Sequence, residues 1–329
     1  MQTKAAAILF LGMFLLSVTR VSGQDAVFSQ FYANPVYLNP ALAGNIICPR
    51  LSLNYRNQYP ALGGNYVTYN AAADMYINAV SGGMAVIATS DMTGPLASFS
   101  ANAVYSYHLK ITQKLKMNAA LQAGYFQYRL NWEQLVFEDM IVPGTGEIVS
   151  GTESQPEKLN VGDIDFSTGM VLGYNEKYYL GVAAHHITNP DLSFYQGNVS
   201  RLATRFTIHA GAIFNLKQEL SGRENDKFSI SPNIVYMQQG DFHQLNSGMY
   251  VNFYPFVSGL WLRHNFDNPD ALIVMLGFQQ PEFKIGYSFD FTVSKMGLPA
   301  GGAHEISLVW YLPCPKKEFK YKAINCPSF

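Results

Sequence analysis

The groups in this chain that could do chemistry are seven histidines, three cysteines and twenty-three carboxylates, and their spacing suits little of it. His185 and His186 are adjacent, and on an extended strand neighbours point to opposite faces, so the pair does not converge on one ion. Asp163 and Asp165 share a strand face and could attract a cation, but carboxylates at such a place are also ordinary polar lining. There is no G-x-S-x-G nucleophile elbow, no H-E-x-x-H pair and no phosphate-binding P-loop. No catalytic, metal or cofactor residue is expected, and the chain does not read as an enzyme.

The elements that would position these groups repeat every second residue. Phe206, Ile208, Ala210, Ala212 and Phe214 alternate with Thr207, His209, Gly211 and Asn215, with Ile213 breaking the pattern. Phe283, Ile285, Tyr287, Phe289 and Phe291 alternate with Lys284, Gly286, Ser288 and Asp290. Leu51, Leu53 and Tyr55 alternate with Ser52, Asn54 and Arg56. A period of two marks strands with one oily and one polar face. The same reading places strands near 50–58, 65–78, 82–92, 96–109, 114–131, 162–174, 177–189, 203–217, 227–238, 242–254, 256–266, 270–280, 282–292 and 304–312. Turn residues such as Gly82-Gly83, Asn175-Glu176, Gly240-Asp241 and Asn268-Pro269 separate them.

Such a series closes either as a soluble barrel with its oil inside or as a membrane barrel with its oil outside. Only 14% of the residues are charged, and the polar faces are built from Ser, Asn, Thr, Gly and Gln, as an enclosed polar lumen requires and a water-facing surface does not. Aromatic residues gather near strand ends, at Tyr66, Tyr69, Tyr125, Phe126, Tyr128, Tyr178, Tyr179, Phe256 and Trp310, as interfacial girdles do. The expectation is an all-β, closed, antiparallel up-and-down transmembrane β-barrel of about fourteen strands, bathed by outer-membrane lipid. A net charge of −1 gives no footprint for nucleic acid.

Residues 1–23 carry Lys4, an apolar run from Ala5 to Val18 and small residues before Gln24, the form of a secretory signal peptide. The domains are then this leader, an N-terminal segment over 24–47, a barrel over 48–313 and a basic tail over 314–329. An even-stranded barrel returns its last strand beside its first, so both termini are expected at the periplasmic rim. Cys48 lies just before the first strand and Cys314 just after the last, which makes them candidates for a disulfide in an oxidising compartment. Cys314 with Cys326 is the local alternative. Strand parity sends the long insertion Asn131–Asn160 to the opposite, external rim, where Glu133, Glu138 and Asp139 are candidates for a surface contact.

The mature start DAVFSQFYANPVYLNPALAG, followed by LNYRNQYPALGGNYVTYNAAAD, resembles the PorP/SprF family of type IX secretion system membrane proteins of Bacteroidota. The likeness extends over nearly the whole mature chain and is most specific from Phe28 to Asp74. It implies an outer-membrane component of the export and gliding machinery, with secretion and gliding proteins and secreted cargo such as surface adhesins as partners. The Asn34-Pro35 and Asn39-Pro40 pairs forbid one continuous helix. Residues 24–47 are therefore expected to form a stiffened plug or rim segment, held at the periplasmic mouth by Phe28, Phe31, Tyr32 and Tyr37, which seals the lumen or faces a partner. The alternative function is an outer-membrane channel for a small or hydrophobic solute.

Overall fold

A computed structural model describes residues 24–46, 48–62, 66–217, 228–266, 268–293, 301–314 and 324. The expected leader over 1–23 and Cys326 lie outside them. The strands are β1 (Arg50–Gln58), β2 (Tyr66–Ile77), β3 (Gly82–Thr93), β4 (Leu96–Lys110), β5 (Leu115–Leu130), β6 (Asn160–Tyr174), β7 (Tyr178–His185), β8 (Arg205–Ala212), β9 (Phe214–Lys217), β10 (Phe228–Gln239), β11 (Phe242–Phe253), β12 (Phe256–Asn265), β13 (Asn268–Gln279), β14 (Phe283–Thr292) and β15 (Ala303–Tyr311).

Each strand pairs antiparallel with its neighbours, and β15 returns to β1 in the register Arg50↔Tyr311 through Gln58↔Ala303. Both β8 and β9 pair with the same edge of β10, so they are one stave interrupted at Ile213, the residue that breaks the alternation. Among the described residues, fifteen segments thus make a closed barrel of fourteen staves. Closure between β15 and β1 satisfies the backbone as a hydrocarbon environment demands, and among the described residues only the short β9 is paired on one side alone.

The two faces sort as the alternation requires. Leu121 is 71% exposed, and Phe206, Ile208, Ile285 and Ile306 are exposed with it, whereas Ser106, Asn118, Glu305 and Ser307 are fully buried. Oil faces outward and polar groups face the lumen. Among the strand-end aromatics, Tyr66, Tyr125, Tyr178, Phe256 and Trp310 face outward, whereas Phe126 and Tyr179 have the opposite parity and are buried inside. Those two do not belong to an interfacial girdle.

The barrel has two distinct rims. One carries the Cys48–Cys314 disulfide at the start of β1 and the end of β15, and is here the terminal rim. The other carries the connection from β5 to β6 and is the long-loop rim. Ile324 returns to the terminal rim and is buried there, its N–H and C=O bonded to the Asn45 side chain at 3.0 and 2.8 Å.

Candidate functional site

Residues 24–46 do not cap one mouth; they thread the lumen from rim to rim. This corrects the expectation of a segment held at a single mouth, and of both mature ends at one rim: Asp25 lies at the long-loop rim, beside Arg205 and Gln239, and Cys314 lies at the other. The physical reason is the polar inner wall, which bonds strap backbone groups at Asp25, Ser29, Gln30, Ala41, Ala43 and Gly44, while single turns pair other backbone groups locally. The two Asn-Pro pairs break the strap into single turns. Helix α1 spans Pro35–Leu38 with Pro at its first turn, and Asn39, extended at φ −154, caps a 3₁₀ turn over Pro40–Leu42 by accepting the Ala41 N–H at 2.9 Å.

At the long-loop rim, the Asp25 carboxylate meets His186 Nε2 at 2.8 Å and Arg205 Nη1 at 3.0 Å, while His186 Nδ1 meets Asp165 at 2.8 Å. His186 follows the last residue of β7 and adopts φ +57. That turn explains why parity misplaced the two histidines: the strand ends at His185, and both rings are buried. Asp163 is exposed, so it does not share the buried position of Asp165. Burial opposes a charged His186, but the flanking Asp25 and Asp165 outweigh it and hold the ring's pKa at about 9. Burial likewise opposes the Asp25 anion, and His186 and Arg205 reverse this, holding the carboxyl well below its ordinary range.

One turn further in, the Ser29 and Gln30 N–H groups donate to the two Glu305 oxygens at 2.6 and 3.0 Å. Ser29 Oγ donates to Asp290 at 2.7 Å and accepts from Arg56 and Arg263 at 2.7 and 2.6 Å. Arg56 and Arg263 each pair with Asp290, at 2.9 and 2.8 Å. Two guanidiniums and two carboxylates, all buried, thus close around one serine of the strap. Removing one member of such a buried, paired cluster is costly, because it leaves an uncompensated charge. Alternation put Arg56 and Asp290 on polar faces, but nothing in the sequence linked them to Ser29.

At mid-depth the strap is packed rather than wet. Phe31 sits 5.1 Å from Trp261, and Tyr32 contacts the rings of Tyr179, His209 and Tyr250. Val171, Val235, Ile273 and Met275 join Ala41, Leu42 and Ala43 in one buried cluster. Phe28 packs edge-on against Tyr37, whose ring also carries the Arg205 guanidinium 4.8 Å above it. Asn39 Nδ2 reaches the wall at Met170 O, Val182 O and His209 Nε2. The Asn34 side chain is buried with neither polar atom bonded among the described residues, and Pro35 and Pro40 are buried within their turns.

The strap leaves at the terminal rim. The Ala43 carbonyl meets His108 Nε2 at 3.0 Å, and the Gly44 N–H donates to Asp74, which Arg50 also grips at 2.8 and 2.9 Å. Gly44, at φ +62, crosses Gly83 so closely that a Cβ on either would overlap the other's backbone. Glu133, Glu138 and Asp139 are exposed at the opposite rim, and Thr152 holds Asp139 through its N–H and hydroxyl at 2.6 and 2.9 Å. No group of three or more His, Cys, Asp or Glu side chains is placed to hold a metal among the described residues.

The sequence model of the type IX secretion system membrane protein PorP/SprF matches residues 21–310. The chain belongs to the PorP/SprF family. The PorP/SprF match takes in the strap and nearly all of the barrel, stopping one residue short of the end of β15. Among curated proteins none matches the chain. Among solved structures it is similar to the CymD monoaromatic hydrocarbon channel, at 13% identity and a TM-score of 0.45, over 88% of this chain and 95% of that one. It is also similar to the P. putida toluene transporter TodX, at 11% identity and a TM-score of 0.46, over 85% and 94%. A third is the Acinetobacter baumannii outer membrane protein Omp33, at 8% identity and a TM-score of 0.44, over 82% and 100%. This PorP/SprF member is a type IX secretion membrane component and an outer-membrane barrel.

Proposed function

We propose that this barrel works as a sealed docking component of the type IX secretion and gliding apparatus, acting through protein contacts in the export or surface delivery of cargo such as adhesins. In this reading the terminal rim faces the periplasm and the long-loop rim faces outward. The strap fixes the barrel's shape and presents a rigid face at each mouth, Gln24–Ala26 outside and Gly44–Ile46 inside. The observation that carries the reading is the threaded strap itself. A lumen filled along its depth by residues 24–46 suits contact with partners better than the passage of a solute, as in the competing channel reading.

The test is a chromosomal deletion complemented by the wild-type chain or by a chain lacking residues 25–44. The expected result is loss of secreted or surface-displayed cargo in the deletion, restored by the wild type and not by a strap-less barrel that still inserts, with solute uptake unchanged. Normal cargo display in the deletion, together with a defect in uptake, would favour the channel.

A further inference from the structure

A cavity of ≈ 190 Å³ opens beside the strap at the long-loop rim. Asp25, Tyr37, His186 and Arg205 form one wall, and their polar groups are already engaged with one another. The facing wall, on β3, β4 and β5, differs. Ser98, Ser100, Asn102, Gln122 and Tyr128 line it, and none of these side chains has a hydrogen-bond partner among the described residues. Gln122 is only 8% exposed, so its carboxamide is committed to the cavity. Asp91 completes the wall; its carboxylate accepts from Thr68 and Thr93 at 2.6 and 3.0 Å and makes no ion pair among the described residues.

These groups define a ligand. Hydroxyls and carboxamides both donate and accept, so a wall of them matches a molecule whose own groups do both. A primary ammonium only donates, so it would use Asp91 and the carboxamide oxygens and leave the carboxamide N–H groups without an acceptor. An anion would meet Asp91 with no free cation to offset it. The Tyr128 ring adds an apolar face of the kind on which C–H surfaces pack. The volume lies below the range usual for drug-sized ligands, which limits the occupant to one small ring.

We infer that this cavity binds a single sugar unit, free or at the end of a glycan, with Asn102, Gln122 and Asp91 holding its hydroxyls. The cavity adjoins the outer face proposed at Gln24–Ala26, and sugar binding is measured on the purified barrel without any secretion partner, so either reading can fail alone.

Saturation-transfer NMR and calorimetry on the purified, disulfide-bonded barrel in detergent test this with glucose, galactose, mannose, fucose and N-acetylglucosamine. Each is also supplied as its methyl glycoside, and ethanolamine is the amine control. The expected result is saturable binding of at least one sugar, weakened about tenfold or more by Asn102→Leu and by Gln122→Leu, the loss of one buried hydrogen bond each. Ser98→Ala with Ser100→Ala serves as a second, milder variant should either leucine variant fail the heat-shift test of folding. Methyl glycosides binding as well as free sugars would assign the site to a glycan end, and weaker binding would assign it to free sugar. The inference is overturned if no sugar saturates, if the variants bind as the wild type does, or if only ethanolamine binds and Asp91→Asn abolishes it.

Discussion

The Ser29 N–H donates to Glu305 at 2.6 Å across 276 positions of sequence. That bond joins the strap to the last strand of the barrel, at a carboxylate that is fully buried and also paired with Arg56 at 3.3 Å. Glu305→Ala removes the acceptor for two strap amides and leaves a buried guanidinium short of charge. A loss of about 3–5 kcal/mol is expected, the usual consequence of breaking one side of a buried pair. Glu305→Gln, which keeps an acceptor oxygen, should lose less. Urea titration of the folded barrel, read by its heat-shifted gel mobility, ranks the two.

The Asp25–His186 pair makes strap docking depend on pH. His186 is raised to about 9, so its contribution is complete below the unfolded value of about 6.5 and is lost as pH rises through about 9. Asp25 is depressed, so its contribution is present above the unfolded value of about 3.9 and is lost as pH falls through the folded one. Docking should therefore be strongest between roughly pH 4 and 6.5. Asp25→Asn should flatten the alkaline limb of a plot of unfolding midpoint against pH; an unchanged limb would remove His186 from the account.

The crossing of Gly44 and Gly83 is a steric gate for the strap. Gly83→Val forces a side chain onto the Ala43–Gly44 backbone, and overpacking of that kind costs about 1–3 kcal/mol or more. The expected outcome is an inserted barrel whose residues 24–46 become sensitive to added protease while the strands stay protected.

The Cys48–Cys314 bridge ties together the outer ends of β1 and β15. On non-reducing gels, Cys48→Ser and Cys314→Ser should each abolish the mobility difference produced by a reductant, and Cys326→Ser should preserve it. Loss of the difference with Cys326→Ser would instead support the short pairing within the tail.

The staves were legible in the sequence because lipid and lumen impose a strict period of two: Thr207 and His209 point inward and Phe206 and Ile208 outward, and even the break at Ile213 marks a real interruption between β8 and β9. Parity fails where the strand stops, as at His186, because a left-handed residue no longer alternates. The course of the strap was not legible. The two prolines announce stiffness, but direction is set by partners such as Glu305, Asp290 and Asp74, which lie anywhere from 30 to 276 positions away and carry no local pattern.

Single-channel recording in planar bilayers tests most directly whether residues 24–46 seal the barrel. The wild-type barrel is expected to be electrically silent, and the barrel lacking residues 25–44 to show stable ohmic steps. A wild-type barrel that conducts as well as the strap-less one would contradict that seal.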